Sequence, residues 1–258
     1  MSDEDSSLTE KRVFAGGDEA TTAFVASEFG LARVAVSDDI VGEFSLEHRG
    51  ETTAVASDGR RLAVGTPDDV FVGDDDGFYG TDFGAAVAVD YHDSLVASDG
   101  ERVARYDGAW ETVAEIDGVR AIDGDMVAAT SGVHRLDGTH VGLEAVRDVS
   151  SAGTPLAGTA EGLYYLANGW MRSIDGSFTC VSSDGDRAHA ATRETLYARS
   201  SGGTWTAVAL PVDGSIVDIA CGDGVYAVTA DGVFLANVGD GWRHRSLGLS
   251  GVSGIAVV

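Results

Sequence analysis

Apolar and polar residues alternate along this chain in short runs broken by turns rich in Gly, Asp and Asn. A period of two is that of a half-buried strand, and two such runs around a short turn make a hairpin. One phrase of this kind recurs as FVASEFGLARV (24–34), LAVGTPDDVFV (62–72), LVASDGERVARY (95–106) and VAATSGVHRL (127–136). It returns as LAGTAEGLYYL (156–166), HAATRETLYAR (189–199) and YAVTADGVFLA (226–236). Each copy has a small apolar run, a Ser or Thr, a tight turn, then a second alternating run. Helical periodicity is almost absent.

The Ser or Thr stands at 27, 66, 98, 130, 159, 192 and 229, a mean spacing of about 34 residues. A fixed period in this range, built from strands, signals a propeller. Ahead of the hairpin lies a further apolar stretch ending in a Gly/Asp turn, as in TTAVASDGR (52–60), RAIDGD (120–125) and IVDIACGDG (216–224). Behind it a second turn runs into Trp in YDGAW (106–110), LANGW (166–170), SSGGTW (200–205) and VGDGW (238–242). DG and NG favour the positive φ of two-residue hairpin turns, and the Trp after them is expected to cover the outer strand's edge. The unit is thus inner strand, hairpin, tight turn, outer strand.

Seven units predict an all-β fold, a seven-bladed β-propeller of short four-stranded blades. A β-sandwich does not account for seven units of matched order. The chain ends in VSGIAVV (252–258), an inner-strand pattern with no hairpin behind it, while the first hairpin has no clear inner strand. The C-terminal strand is therefore expected to close the ring; KRVFAG (11–16) is the alternative for that place. The division expected is a disordered acidic N-terminus over 1–11 and one propeller domain over 12–258.

Charge changes the picture more than size does. The 258 residues carry 42 acids against 17 bases, net −25, with Lys11 the one lysine and Arg supplying the other bases. The acids are spread along the whole chain, so most are read as solvating surface, as in cytosolic proteins of salt-accumulating archaea. The same field repels a phosphate backbone and argues against nucleic acid. Self-repulsion at this net charge destabilises the compact state unless counterions screen it. The melting temperature is accordingly expected to rise from low salt to molar potassium chloride; a flat or falling curve in thermal scans would contradict this reading. MSDEDSSLTEKR has no apolar core of a signal peptide, and no stretch approaches a membrane span, so a soluble, cytoplasmic, monomeric protein is expected.

Specific chemistry is sparse. Cys180 and Cys221 have no metal-ligand spacing and read as structural. His134 stands where other units have Tyr164, Tyr197 and Phe234, and His189 where Tyr226 stands, so both read as substitutions on a structural face. No HExxH, GxSxG, Walker A or GxGxxG motif occurs, hence no catalytic, metal or cofactor residue is assigned and no cofactor is expected. The loop GDDDGFYGTD (73–82), with Asp74, Asp75, Asp76 and Asp82, lacks EF-hand spacing and reads as solvated.

The hairpin turns and the blade connections emerge together on one propeller face. The turns carry Glu28, Asp68, Asp69, Asp99, Glu101, Glu161, Glu194 and Asp231, an almost complete ring of carboxylates interrupted at Ser131. The connections are expected to add His48, Arg49, Arg120, Arg147 and Arg172. Turn chemistry alone accounts for many of the acids, but Arg is scarce enough here that several on one face suit an acidic partner or ligand.

The units resemble those of seven-bladed WD40/YVTN-like propellers, and the chain from about residue 12 to 258 is similar to an uncharacterised propeller family of halophilic archaea. Neither a WD dipeptide nor YVTN occurs, and SSGGTW resembles a sialidase-type Asp-box that lacks its Asp. The expected function is a non-catalytic scaffold presenting one face to another protein. The alternative is an enzyme or small-ligand binder that uses the central channel.

Overall fold

The computed structural model describes residues 21–37, 40–74, 77–239 and 241–258. The segment 1–11, KRVFAG, and Asp75 and Asp76 of the acidic loop lie outside them. Among the described residues are 28 strands, numbered here in chain order, and no helix. They form seven antiparallel sheets of four strands each. Six sheets are consecutive in the chain: β4–β7 over 54–80, β8–β11 over 88–115, β12–β15 over 119–142, β16–β19 over 146–175, β20–β23 over 178–208 and β24–β27 over 216–246.

The first blade joins both ends of the propeller. Its strands β1 (Thr21–Ser27), β2 (Gly30–Ser37) and β3 (Ile40–Arg49) are consecutive, and β28 (Gly254–Val257) pairs along β1 with Ala23 opposite Val257 and Ala26 opposite Gly254. The C-terminal strand therefore holds the inner-strand place and closes the ring, as its pattern predicts.

The recurring Ser or Thr ties the hairpin turn. Thr159 Oγ1 donates to the Gly162 carbonyl (3.0 Å) and accepts from the Glu161 and Gly162 amides (both 3.1 Å). Thr66 makes the same set of bonds to Asp68 and Asp69. The hydroxyls of Ser27, Thr66, Ser98, Thr159 and Thr229 are buried, so these bonds satisfy groups that water cannot reach. In the fourth unit the Thr falls one place later, inside the two-residue turn between Ala129 and Gly132, and Thr130 is exposed. After the turn, Gly30 adopts φ 135° and packs against the His48 carbonyl, a place closed to any Cβ.

The core is a ring of seven seams. Every blade sandwiches an apolar cluster against its neighbour; Val25 and Val34 meet Val228 and Phe234 between the last blade and the first, and Leu156 and Leu163 meet Phe178 and Ala190 between the fifth and sixth. Strands in the middle of a blade are covered on both sides, which is why β13 (Met126–Ala129) and β17 (Leu156–Thr159) are buried throughout. The four Trp residues do not lie over the outer edge, as the turns suggest. Each turns inward to its seam with the preceding blade: Trp110 packs on Phe83 (4.5 Å between ring centres) and donates to the Thr81 carbonyl (3.0 Å). Trp170, Trp205 and Trp242 join the corresponding clusters. An indole there removes more apolar surface from water than it could at a solvent-facing edge.

Candidate functional site

Hairpin turns and blade connections do share one face, because backbone bonds stitch them together. The Glu28 amide donates to Ser250, Ile116 to Glu101, Gly176 to Glu161, and Ala230 to Ser215. Glu28, Asp68, Glu101, Glu161, Glu194 and Asp231 are all exposed on it. Two of the predicted carboxylates work within the turns. Asp69 accepts from the Val70 and Phe83 amides (2.8 Å each). Asp99 accepts from the Glu101 and Arg102 amides and from the Arg102 guanidinium (2.9 Å). Burial would raise the Asp99 carboxyl, but these bonds carry it below its ordinary value. Glu28 and Asp231 are also bonded locally, to the hydroxyls of Ser250 and Thr229.

The basic residues divide. Arg49 ends β3 and is exposed, and Arg120 is exposed near the start of the inner strand β12 (Val119–Asp123), at the channel. Arg147 lies on β16 (Val146–Ser150) and spends its guanidinium across the seam on Ser177 Oγ (2.8 Å) and the Phe178 carbonyl (3.1 Å). Arg172 sits in the outer strand β19 (Trp170–Asp175), stacked over Tyr164 and paired with Asp175 (3.0 Å) and Glu161 (3.5 Å). His48 belongs to β3 and packs on Phe71 and Phe78 with ring centres 5.0 and 5.6 Å apart. Burial lowers its pKa, so it acts as an aromatic wedge. His189 is buried and pushed down to about 4 by the same cause.

The central channel holds what the sequence reading missed. A cavity of about 370 Å³ runs between the inner strands and is lined by Asp90, Asp123, Asp148 and Asp218, with Arg120 and Cys221. Each carboxylate accepts a backbone amide from the next blade. Asp90 takes Gly124 (2.6 Å), Asp123 takes Ser151 (2.7 Å), Asp148 takes Val181 (2.7 Å), and Asp218 takes Ile255 of the closing strand (2.9 Å). They are clasps between blades. The signal was legible as a lone Asp inside an apolar inner-strand run, in AVDYH, RAIDG, VRDVS and IVDIA.

Crowding makes these acids reluctant to ionise. Burial, then the charge of Asp123, raises Asp90 to about 7. Burial raises Asp218 to about 6, against its amide bonds. Asp148 rises well above its ordinary value through burial and the nearby Asp218 charge, and burial also raises Asp123. Among the described residues no group of three or more His, Cys, Asp and Glu is arranged to hold a metal ion. Cys180 is buried and Cys221 half-buried, and burial pushes both thiols up, which leaves them poor nucleophiles.

Residues 7–258 match the family model described as "Beta-prop_HVO_0234:-like, beta propeller". No curated protein matches the chain. Among solved structures it is similar to the WD40 beta propeller domain of Doa1, at 13% identity and a TM-score of 0.63 over 90% of this chain and 88% of that one. It is similar to U3-55K at 12% identity and a TM-score of 0.62 over 92% and 95% of the two chains. A chain of a nidogen/laminin complex gives 10% identity and a TM-score of 0.59 over 92% and 98%. At such identities the likeness concerns the fold alone. No helix among the described residues is long and apolar enough to cross a membrane.

Proposed function

From the premise that the chain belongs to this β-propeller family of halophilic archaea, we propose that it is a non-catalytic scaffold whose turn-bearing face binds another protein. The observation that carries the proposal is apolar surface exposed among the carboxylates of that face. Phe29, at the tip of the first turn, is 53% exposed, and Val87, in the connection before β8 (Ala88–His92), is 42% exposed. Exposed aromatic side chains framed by charge are the usual anchors of an interface, with the charges excluding wrong partners. A groove of about 450 Å³ on the same face, lined by Arg193, Glu194, Leu210, Val212 and Asp213, offers a complementary seat. The working environment would be a salt-rich cytoplasm, with the propeller as a monomer.

The test is capture from a native high-salt lysate by wild type, Phe29→Ser with Val87→Ser, and Asp107→Asn on the opposite face. Truncating an anchor costs ~1–4 kcal/mol, so the double variant should lose the partner about tenfold or more while Asp107→Asn retains it. A partner held equally by all three proteins would refute the assignment of this face. The second reading, a small-ligand binder, is favoured by one feature: Arg120 beside the deep carboxylates of the channel. Under that reading Arg120→Gln, and not the Phe29 and Val87 variant, abolishes binding of the native ligand.

A further inference from the structure

We propose that the groove between the first and second blades, on the face opposite the hairpin turns, binds a small molecule with an oxyanion head and an apolar ring. The groove has a volume of about 390 Å³ and is walled by Phe24, Leu62 and Phe78, with Arg33, Arg60 and Glu47 at its polar side. Arg60 lies in the turn between β4 (Ala54–Ser57) and β5 (Leu62–Gly65), which places the opening away from the face proposed for protein binding.

Two observations carry the proposal. The first is uncommitted guanidinium in an acid-dominated molecule. Arg61, next in the chain, is fully engaged: it forks onto Asp58 (3.0 and 2.8 Å) and stacks over Tyr91. Arg102, Arg135, Arg172 and Arg187 each hold an acid as well. Arg33 and Arg60 are exposed, face the same groove and make no side-chain ion pair or hydrogen bond among the described residues. Among the described residues Glu47, whose oxygen accepts the Ser45 hydroxyl (2.7 Å), is the one acidic side chain lining the groove beside Arg33, Arg60 and Arg61, in a protein of net charge −25. An oxyanion therefore meets less repulsion here, and two planar forks can grip it bidentately.

The second observation is the apolar floor. Leu62 is buried, Phe24 and Phe78 are half-buried, and the Phe78 ring lies so close over Gly73 that a Cβ there would stand 2.7 Å from it. The bare Gly73 backbone makes room for the ring, which lines the groove. A head group on Arg33 and Arg60 sets an attached ring against Phe24 and Phe78, the usual pairing of a few polar contacts with an apolar pocket. Carboxylate and phosphate share the required chemistry.

The experiment titrates the full chain, in salt that keeps it folded, with phenyl phosphate, benzoate and benzyl alcohol, followed by side-chain NMR shifts of Phe24 and Phe78. Phenyl phosphate or benzoate should saturate these shifts, the tighter one naming the head group, and benzyl alcohol should not. Arg33→Gln and Arg60→Gln should each weaken binding about tenfold at unchanged melting temperature, Arg193→Gln should leave it unaltered, and Glu47→Gln should tighten it. No saturation by either anion, equal binding of the alcohol, equal loss in Arg193→Gln, or weaker binding in Glu47→Gln would overturn the proposal. Because these residues lie off the turn-bearing face, that failure would leave the protein-binding reading standing, and the reverse.

Discussion

A chain ending at Gly251 should be recovered aggregated or without a cooperative melting transition. The seven residues removed carry β28, whose four rungs on β1 leave a bare strand edge when they go. Each lost ladder bond costs ~1 kcal/mol, and burial of an Ile side chain contributes ~2–3 kcal/mol. Ile255, Ala256 and Val252 are all buried, with Ile255 and Val252 in the seam between the last blade and the first. The cut also takes away the Ile255 amide that Asp218 accepts and the Ser253 hydroxyl that bonds the Thr52 carbonyl. Together these losses match the ~5–15 kcal/mol stability of a typical domain. Ile255→Ala is a milder probe of the same seam and should cost ~2–4 kcal/mol in chemical denaturation. A soluble 1–251 chain with a wild-type melting curve would remove β28 from its role in closure.

Stability should fall as pH rises from about 4 to 7, with the channel clasps as the cause. Asp90 has an ordinary pKa of 3.8 and stands at about 7 in the fold, and Asp218 moves to about 6. A folded value above the unfolded one means that the folded state binds the proton more tightly. Its contribution is complete below pH ~4 and is lost as pH climbs through the folded values, between ~4 and ~7. At ~1.4 kcal/mol per unit, Asp90 alone accounts for ~4 kcal/mol across that window. Asp58, Asp99 and Asp184 work the other way: burial raises them, their bonds to Arg and backbone amides outweigh it, and their contribution fades only in acid. The optimum should therefore lie near pH ~4, between the two opposing sets. Asp90→Asn retains an oxygen for the Gly124 amide without the charge, so its melting temperature should exceed wild type at pH 8 and converge with it near pH 4. Parallel pH curves for the two proteins would locate the dependence elsewhere.

The expected interaction face shows where sequence reading loses its grip. Asp69 and Asp99 follow the turn preferences of Asp, and the structure uses both for capping turn amides. Arg172 sits beside the turns in sequence, yet it belongs to an outer strand and is stacked on Tyr164. Sequence position ranked it with Arg120, which is exposed at the channel. Some side-chain partners come from the neighbouring blade, some 30 residues away, as Arg147 and Ser177 illustrate.

What the sequence by itself determined is the repeat: the spacing of Ser27 to Thr229, the turns after each hairpin, and a final strand without a partner of its own. These are local, because turn chemistry and strand period act over a few residues, and seven equal units admit closure into a ring. What only the tertiary structure decided lies between blades. Trp110 turned inward to Phe83, Arg33 and Arg60 came to one groove, and Asp90, Asp123, Asp148 and Asp218 met in the channel. In the chain each of those Asp residues is one acid among 42. Only the ring brings them within reach of one another and of the next blade's amides, because burial and mutual repulsion depend on distances that no local pattern encodes.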